Sequence, residues 1–477
     1  MIDSARMAAV DRNAVALGVA ESKLMESAGN AVAGAVRDLA EPGASVTVVA
    51  GRGNNGGDAF VAARYLDDYE VEVILLGRPE SIGSEVASEN WDALQGADIE
   101  TVTVPDSTGF ALSDPDVVID GLLGTGVTGA PREPERTAIE HINESSAGVV
   151  AVDVPSGMDV DTGEVADVAV HADRVVTFHD LKPGLEARND VVVADIGIPA
   201  AAERFVGPGD LLQIERSPDS HKGDSGRVMV VGGGPYTGAP ALAAQAALRA
   251  GADLAYLAVP ESIADEVQGF SEDLIVEPLI GTRLVREHVE ELLDRAEERD
   301  VVILGPGLGD ASDTMDAVKR FLGSFDGRAV VDADALQVVP DVETGATLVC
   351  TPHRGEFRDM GGTDDEDWQV RSRGVAEFAD ALGHTLLVKG PYDVIANGTT
   401  TRVNRTGNPG MTVGGTGDVL AGATGALLAT LDPVDAAAVG AYATGRAGDI
   451  VVEASGYGML ASDLLAALPR AMRGEDR

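Results

Sequence analysis

The sequence predicts two consecutive α/β domains, each built on a mostly parallel sheet. Short runs rich in β-branched residues alternate with helical patterns along the chain, which is typical of strand–helix–strand units. The 477 residues are enough for two or three domains. Residues 208–220 have turn-forming residues and no sustained period, so they predict a linker between two series of such runs.

The first series begins with a helical stretch over 7–39, whose apolar residues recur at helical spacing. Apolar runs then predict strands at 46–50, 71–76, 117–119, 149–152, 174–178 and 191–196. In the second series they predict strands at 227–231, 254–259, 301–304, 329–331, 347–349, 385–388 and 393–396, with helices at 239–250 and 418–431. We therefore expect one domain over 1–214 and another over 218–477.

The charge balance is strongly acidic. There are 79 Asp and Glu residues against 35 Lys and Arg, a formal net charge of −44, and only five of the basic residues are lysines. This charge repels phosphate backbones and anionic lipids, so nucleic acid and membrane surfaces are excluded as general partners. It also destabilises a compact chain unless salt screens it, which favours adaptation to molar intracellular salt. An ordinary acidic, soluble surface is the alternative.

Compartment is predicted from three further features. The chain has one cysteine, Cys350, so an internal disulfide framework is excluded. The first residues lack the layout of a signal peptide, and no apolar run reaches the roughly 18–20 residues that span a bilayer. We expect a cytoplasmic protein.

A glycine-rich loop, 51–58 (GRGNNGGD), follows the first predicted strand and precedes a helix. GxGxxG in this position suggests a dinucleotide-binding turn, which should have an acidic residue at the end of the second strand. The chain has Leu-Gly-Arg there, at 76–78, so an ordinary NAD-dependent dehydrogenase is disfavoured. An anion-binding helix N-terminus rich in side-chain oxygens remains, with a tight turn that binds nothing as the alternative.

Two more strand ends carry polar, glycine-bearing loops, 120–126 (DGLLGTG) and 153–157 (DVPSG). Ligands of open α/β sheets bind beyond the carboxyl ends of the strands, so the three loops should converge on one crevice. Oxygen atoms of Asn55, Asp120 and Ser156 would suit an alkali cation better than zinc, which prefers Cys and His.

These segments closely resemble the NAD(P)H-hydrate epimerase family, over nearly all of residues 1–214. The similarity is carried by LMESAG (24–29), GRGNNGGDAFVAARYL (51–66), DGLLGTGVTG (120–129), VDVPSGMDVDTG (152–163) and VVTFHDLKPGL (175–185). The resemblance implies a Rossmann-like three-layer sandwich and K⁺ bound by Asn55, Asp120 and Ser156. The residues it implies for the hydrated nicotinamide nucleotide are Asn54, Asn55, Gly56, Gly57, Asp58, Gly124, Thr125, Gly126, Val127, Thr128, Gly129, Ala130 and Asp153.

Epimerisation inverts the ring carbon that bears the hydroxyl, which requires proton transfer or reversible loss of that hydroxyl. A carboxylate such as Asp153 is our candidate for the general acid or base. Lys182 is the weaker candidate, since a single lysine is more often a surface charge.

In the second series, the loop 408–418 (NPGMTVGGTGD) precedes a helical run. Its glycines allow backbone N–H groups to point together at a phosphate. Asp418 could accept the proton of a substrate hydroxyl during phosphoryl transfer, or simply cap the helix. Four other loops follow predicted strands: GPGLG (305–309), DADAL (332–336), TPHRGE (351–356) and KGPYD (389–393).

Together with HKGDSGRVMVVGGGPYTGAP (221–240), these loops resemble the ADP-dependent NAD(P)H-hydrate dehydratase family, a branch of the ribokinase-like fold, over roughly 218–470. The resemblance implies that the hydrate contacts Ala239, His353, Asp418 and either Gly307 or Gly309. It implies that ADP contacts Lys389, Gly390, Pro391, Tyr392, Asp393 and Gly417. Mg²⁺ is expected at the diphosphate, through a water on Glu356.

His353 favours a dehydratase over a related vitamin kinase, where the matching strand end resembles Thr-Pro-Asn-x-x-Glu; a histidine satisfied in the core is the alternative. A kinase fused to a nucleotide-binding domain, and a first domain that only binds, are the other hypotheses. The intact carboxylates Asp58, Asp120 and Asp153 argue against the last. We expect a repair enzyme for both epimers of hydrated NADH or NADPH, with these and ADP as small-molecule partners, and a homo-oligomer.

Overall fold

The computed structural model describes residues 1–127, 129–214 and 216–474, which form two compact units, Met1–Ala202 and Glu203–Arg477. The division lies twelve residues before the domain end expected at 214. Residues 203–214 belong to the second unit because their contacts are there: the Val206 N–H donates to the Val403 carbonyl, and Asp210 pairs with Arg402 at 2.6 Å. Both side chains of that pair are almost fully buried, so the first half of the expected linker is structured.

Strands of the first unit form one parallel sheet. Within the described residues they are β1 (Ser45–Ala50), β2 (Glu70–Leu76), β3 (Glu100–Val104), β4 (Val117–Gly121), β5 (Gly148–Val152), β6 (Arg174–Phe178) and β7 (Val191–Ala194). Their order across the sheet is β3-β2-β1-β4-β5-β6-β7, and every neighbouring pair is parallel. The order reverses between β1 and β4, where an open α/β sheet forms its ligand crevice.

Helices cover both faces of this sheet: α1 (Ser4–Ala16), α2 (Glu21–Leu39), α3 (Asn54–Arg64), α4 (Glu85–Gly96), α5 (Glu135–Glu144) and α6 (Ala200–Arg204). Side chains alternate along β1, so Val48 packs against α2 and α3, whereas Val49 joins α5 on the other face. This confirms the three-layer α/β sandwich. The helical stretch expected over 7–39 is two helices, because Gly18 adopts φ 94° between them.

A second, larger sheet forms the centre of the second unit. Its strands are β8 (Arg227–Val231), β9 (Leu254–Pro260), β10 (Ile275–Leu279), β11 (Val301–Leu304), β12 (Arg328–Val331), β13 (Thr347–Cys350), β14 (Thr385–Val388), β15 (Asp393–Ala396) and β16 (Thr401–Asn404). The order is β10-β9-β8-β11-β12-β13-β14-β15-β16; neighbours are parallel up to β14, and the last two pairings are antiparallel. The order reverses between β8 and β11.

The helices of the second unit again form two layers: α7 (Gly238–Arg249), α8 (Ala264–Gln268), α9 (Val289–Ala296), α10 (Ser312–Leu322), α11 (Arg354–Asp359), α12 (Trp368–Leu382), α13 (Thr416–Leu428), α14 (Pro433–Ser455) and α15 (Ala461–Met472). Small residues bring α13 close to α7, since a Cβ on Gly422 would lie 2.1 Å from the Ala243 carbonyl oxygen. In residues 1–127, 129–214 and 216–474, no helix combines the length and apolar character needed to cross a membrane.

The acidic excess predicts a salt-dependent fold. We expect the melting temperature to rise steadily from low salt to molar KCl, because screening weakens repulsion among carboxylates that outnumber the cationic side chains. Each kcal/mol gained should raise Tm by about 2–4 °C for units of this size. Thermal melts followed by circular dichroism measure this, with NaCl as the control for a K⁺-specific effect. A melting temperature that stays flat or falls with salt would contradict adaptation to high salt.

Candidate active sites of the two units

The first glycine-rich loop forms the junction between β1 and α3. Residues 54–58 make the first turn of α3, and Gly53 is its N-cap. Gly56 is required for the tight turn, because a Cβ there would lie 2.2 Å from the Gly51 carbonyl oxygen. Free N–H groups and the helix dipole therefore face the crevice beyond β1, as expected for an anion site.

The ends of β4 and β5 meet this turn. Asp120 is fully buried at the end of β4, and its Oδ1 accepts from the Ser156 hydroxyl at 2.6 Å while its Oδ2 accepts from the Ser156 N–H at 2.8 Å. The Asn55 amide donates to the Leu123 carbonyl at 3.1 Å, and the Leu123 N–H donates to Ser156 Oγ at 2.9 Å. The structure thus brings Asn55, Asp120 and Ser156 together around Leu123.

The Asp120 carboxyl lacks a cationic neighbour. In the part of the chain that the structure describes, it forms no ion pair, and burial raises its pKa to about 6 despite the hydrogen bonds from Ser156. A small cation held by oxygen ligands would balance this buried charge, so the residues fit the expected alkali-ion site.

Asp153 is held rigidly at the end of β5. Its backbone is left-handed, φ 61°, an unusual conformation for a residue with a side chain. Its Oδ1 accepts from Thr177 Oγ1 at 2.9 Å, the Phe178 N–H at 3.2 Å and Lys182 Nζ at 3.0 Å. Lys182 is fully buried and also donates to the Phe178 carbonyl at 2.6 Å, so it is not the surface charge that a single lysine suggests.

A cavity of about 610 Å³ opens beyond these strand ends. Of the expected substrate residues, it is lined by Asn54, Asn55, Asp58, Gly124, Thr125, Gly126, Val127 and Asp153. Gly56 and Gly57 are buried in α3 beside it, Gly129 lines a smaller neighbouring cavity, Ala130 is exposed, and Thr128 lies outside the described residues. Sequence reasoning missed Asp11, Glu21 and Arg52, which also line the cavity.

Carboxyl groups of this cavity influence one another. Burial raises the pKa of Asp11 to about 6; the Lys182 ammonium opposes this rise, and the charges on Asp153 and Glu21 add to it. Burial, followed by the charges on Asp153 and Asp11, raises the pKa of Asp58 well above its usual range. One cavity therefore holds an ion-paired carboxylate and two carboxyl groups with elevated pKa, an arrangement that is typical of acid–base sites.

In the second unit, an ion pair joins the ends of β12 and β14. Lys389 Nζ lies 2.9 Å from Asp332 Oδ1, which also accepts from the Thr351 hydroxyl at 2.8 Å. Burial alone would lower the pKa of Lys389, but the carboxylates of Asp332, Glu356 and Asp418 outweigh it and raise that pKa. The sequence indicates no individual role for Asp332, although the loop that it begins directly follows a predicted strand.

The loop before α13 brings Asp418 to the same place. Gly415 caps this helix with φ 100°, and Asp418 lies in its first turn, next to Gly417. A Cβ on Gly417 would lie 3.3 Å from Lys389 Nζ and 3.9 Å from Asp332 Oδ2. Burial, reinforced by the Asp332 charge and opposed by Lys389, raises the pKa of Asp418 to about 7. A helix N-terminus, a lysine and a carboxyl group that titrates near neutrality are thus neighbours.

His353 caps the N-terminus of α11. Its Nδ1 accepts from the Gly355 and Glu356 backbone N–H groups at 2.9 and 3.0 Å, while the His353 backbone N–H donates to Glu356 Oε2 at 2.7 Å. Its side chain is 60% exposed, so the alternative of a histidine satisfied in the core is wrong. Since Nδ1 accepts, the ring N–H is on Nε2, which lies 3.5 Å from Glu356 Oε1.

The residues expected to contact the hydrate in the segments that follow β8 and β11 lie close together. Gly307 and Gly309 have φ 75° and 73°. A Cβ on Gly307 would lie 3.3 Å from the Ala239 Cβ, and one on Gly309 would lie 2.9 Å from Pro235. The backbone after β11 therefore passes closely over the loop that leads into α7.

The loop 389–393 links β14 to β15. Both Asp393 oxygens are engaged inside the protein: Oδ1 accepts from the Gly390 N–H and Oδ2 from the Asn404 amide, each at 2.9 Å. Pro391 is exposed, and the Tyr392 ring stacks on Trp368 with centroids 5.3 Å apart. Asp393 therefore fixes the conformation of this loop and does not itself face a ligand. A nucleotide could contact the loop through its other backbone groups and the Tyr392 side chain.

Comparison with known proteins agrees with the division of the chain into two α/β units. Residues 21–184 match the family model described as YjeF-related protein N-terminus, and residues 228–470 match the model described as NAD(P)H-hydrate dehydratase. Among solved structures, the ADP/ATP-dependent NAD(P)H-hydrate dehydratase from Bacillus subtilis, co-crystallised with ATP/Mg²⁺, is 25% identical with a TM-score of 0.50, covering 57% of this chain and 98% of that one. A ribokinase-like protein from Enterococcus faecalis is 26% identical with the same TM-score and covers 57% and 95%.

Relatives extend over both units. The bifunctional NAD(P)H-hydrate repair enzyme from Pyrobaculum aerophilum is 46% identical over 99% of this chain and 98% of its own length. The enzymes of that name from Methanothermobacter thermautotrophicus and Archaeoglobus fulgidus are 45% and 43% identical, over 98% and 99% of this chain and 94% and 98% of their own lengths. The ribokinase-like fold of the second unit and the resemblance of the two halves to the NAD(P)H-hydrate epimerase and dehydratase families are confirmed. The chain belongs to the family of bifunctional NAD(P)H-hydrate repair enzymes.

Proposed function

We propose that this chain restores hydrated NADH and NADPH by two reactions at separate sites. The first unit interconverts the R and S epimers of the hydrate, and the second unit converts the S epimer to NAD(P)H with ADP, releasing AMP and phosphate. The observation that carries this proposal is that each unit gathers an acid–base group and a glycine-rich helix N-terminus beyond the carboxyl ends of its own parallel strands.

In the first unit, the nucleotide would contact residues 54–58 and the loop 124–130, with the hydrated ring near Asp153. The Lys182 ammonium and two further donors keep the Asp153 carboxylate fixed, which suits a group that takes a proton from a reacting hydroxyl or water. The free N–H groups at the start of α3 suit the negatively charged diphosphate of the nucleotide.

The cluster of Asn55, Asp120 and Ser156 would hold K⁺. Fully buried Asp120 supplies the charge, and amide and hydroxyl oxygens complete a ligand set suited to a hard cation. The ion, when bound, supplies positive charge beside the substrate loops. Through their hydrogen bonds, these residues fix the Leu123 backbone that leads into the loop 124–130.

In the second unit, Asp418 would take the proton from the ring hydroxyl as that oxygen attacks the terminal phosphorus of ADP. AMP leaves, and the hydroxyl becomes a phosphate ester. Phosphate then departs as the ring nitrogen donates its lone pair, and loss of the neighbouring ring proton restores the dihydropyridine. Lys389, which lies near Gly417 in the first turn of α13, would stabilise the phosphoryl oxygens together with that turn. The hydrate would contact Ala239, Gly307, Gly309 and His353.

The adenine nucleotide would lie along residues 389–393 and Gly417. Mg²⁺ at its phosphates would supply Lewis-acid charge, and Glu356, which His353 hydrogen-bonds, is placed to hold it through water. In the described residues, no three His, Cys, Asp or Glu side chains form a metal cluster, which suits an ion held mainly by phosphates and water. Cytoplasmic location and assembly into a homo-oligomer stay predictions.

The epimerase half is tested without ADP. Purified S epimer is incubated with the full chain, and the two epimers are separated by chromatography. We expect the R epimer to form at a rate proportional to protein concentration. A rate equal to the spontaneous one at every protein concentration would contradict the proposal for the first unit.

A further inference from the structure

Asp11 reaches the cavity of the first unit from α1, outside every glycine-rich loop. It lines that cavity together with Asp58 and Asp153, and it is half-buried. In residues 1–127, 129–214 and 216–474, no hydrogen bond or ion pair engages its carboxyl group. Asp11 also plays no part in capping α1, which Asp3 does through the Arg6 N–H. The fold therefore places a carboxyl group in the cavity without giving it a structural partner.

The carboxyl groups of Asp153 and Asp11 differ in their hydrogen-bond donors. Asp153 receives three donors on one oxygen, among them a buried ammonium, and donors of this kind stabilise the ionised form. Asp11 faces the negative charges of Asp58 and Asp153 in the cavity and of Glu21 on α2, with Lys182 committed to Asp153. Like charges in one site disfavour ionisation, so the Asp11 carboxyl group holds its proton more tightly than a free carboxyl group does.

We propose that Asp11 is a further catalytic residue of the first unit, the general acid of epimerisation, with Asp153 as the base. This inference rests on the proposed epimerase function and assigns the two proton-transfer roles within it. The elevated pKa of Asp11, about 6, supports the assignment, because an acid that titrates near neutrality can both keep and release its proton. Asp58 lies in the first turn of α3, among the residues expected to bind the nucleotide, and stays a binding residue.

The step balances with water as the only other reactant. The ring hydroxyl takes the Asp11 proton and leaves as water with the electrons of the C–O bond, while the lone pair of the ring nitrogen forms a C=N bond. A water then adds to the other face of the same carbon, the C=N electrons return to nitrogen, and the released proton goes to Asp153. The ring gains and loses one water, and proton exchange with solvent resets Asp11 and Asp153.

The test is the full chain with Asp11→Asn, assayed for both activities. We expect kcat for epimerisation to fall by about 10²–10⁴-fold with KM changed little, because the charge-neutral amide keeps the shape but has no proton to give. Dehydration of the S epimer should be unchanged. Asp67→Asn, an exposed site after α3, is the matched control. Wild-type chain without epimerase activity would instead refute the proposed function itself.

A thermal melt accompanies each variant, since a misfolded first unit would also lose activity. We expect Asp11→Asn to melt at or above the wild-type temperature, because it removes repulsion among the cavity carboxylates. In Asp11→Ala, added formate should restore part of kcat, which a structural role would not allow. Wild-type kcat in Asp11→Asn, with the loss confined to Asp58→Asn, would overturn the proposal, and so would an Asp11→Ala activity that formate leaves unchanged.

Discussion

Asp418→Asn is expected to abolish recovery of NADH while leaving epimer exchange intact. The amide cannot accept the proton of the ring hydroxyl, so kcat for dehydration should fall by about 10²–10⁴-fold. ADP binding should change little, because Lys389 and the first turn of α13 remain in place. Stopped assays of NADH formation and of epimer exchange on the same preparation measure both effects.

The control for this variant is Asp294→Asn, an exposed position on α9. The elevated pKa of Asp418, about 7, adds a pH dependence to the wild type. A base works only when ionised, so kcat/KM for dehydration should rise as pH increases through about 7. Substantial NADH formation by Asp418→Asn, or loss of both activities together, would contradict an independent second site with Asp418 as its base.

Asp153→Asn is expected to give the opposite result, with epimerisation lost and dehydration of the S epimer kept. The substitution removes the proton acceptor and also breaks the ion pair with fully buried Lys182. An uncompensated buried ammonium costs about 3–5 kcal/mol, so the first unit should also be less stable. Enzyme assays and denaturant titrations of each variant separate the two effects.

Stability and catalysis separate in the double variant Asp153→Asn/Lys182→Met. Removing both partners should recover much of the stability lost in Asp153→Asn, because no buried charge remains. It should not recover epimerisation. Mixing Asp153→Asn with Asp418→Asn should restore complete conversion of both epimers, since each variant keeps one intact site. A double variant that regains epimerase activity would show that Asp153 is only structural.

The central strands were predictable because they are apolar runs buried on both faces. The expected strands 174–178, 227–231, 301–304, 385–388 and 393–396 match the structure at both ends. Strands β3, β10 and β16 were missed because polar residues or a proline interrupt their apolar pattern; β3 reads Glu-Thr-Val-Thr-Val and β10 contains Pro278. The edge strand β7, which reads Val-Val-Val-Ala, was predicted. Pairing with a neighbouring strand, not an apolar run, defines the three missed strands.

The site was predictable where glycines mark a strand end, since tight turns and close backbone approach restrict the residue type. Asn55, Asp120 and Ser156 belong to such glycine-bearing loops, and in the structure they lie together. Asp11 and Asp332 did not, because their importance comes from partners distant in sequence: Asp332 pairs with Lys389, 57 residues away. The burial of Lys182 was equally hidden, since only the packed fold shows that it faces Asp153.

The most direct measurement follows NADH absorbance after the full chain is mixed with equal amounts of both epimers, ADP and Mg²⁺ in molar KCl. Two acid–base sites, one on each sheet, predict recovery of all the NADH at a rate far above spontaneous epimerisation. Recovery that stops at the S fraction would mean that the first unit does not catalyse, and no recovery would contradict both sites.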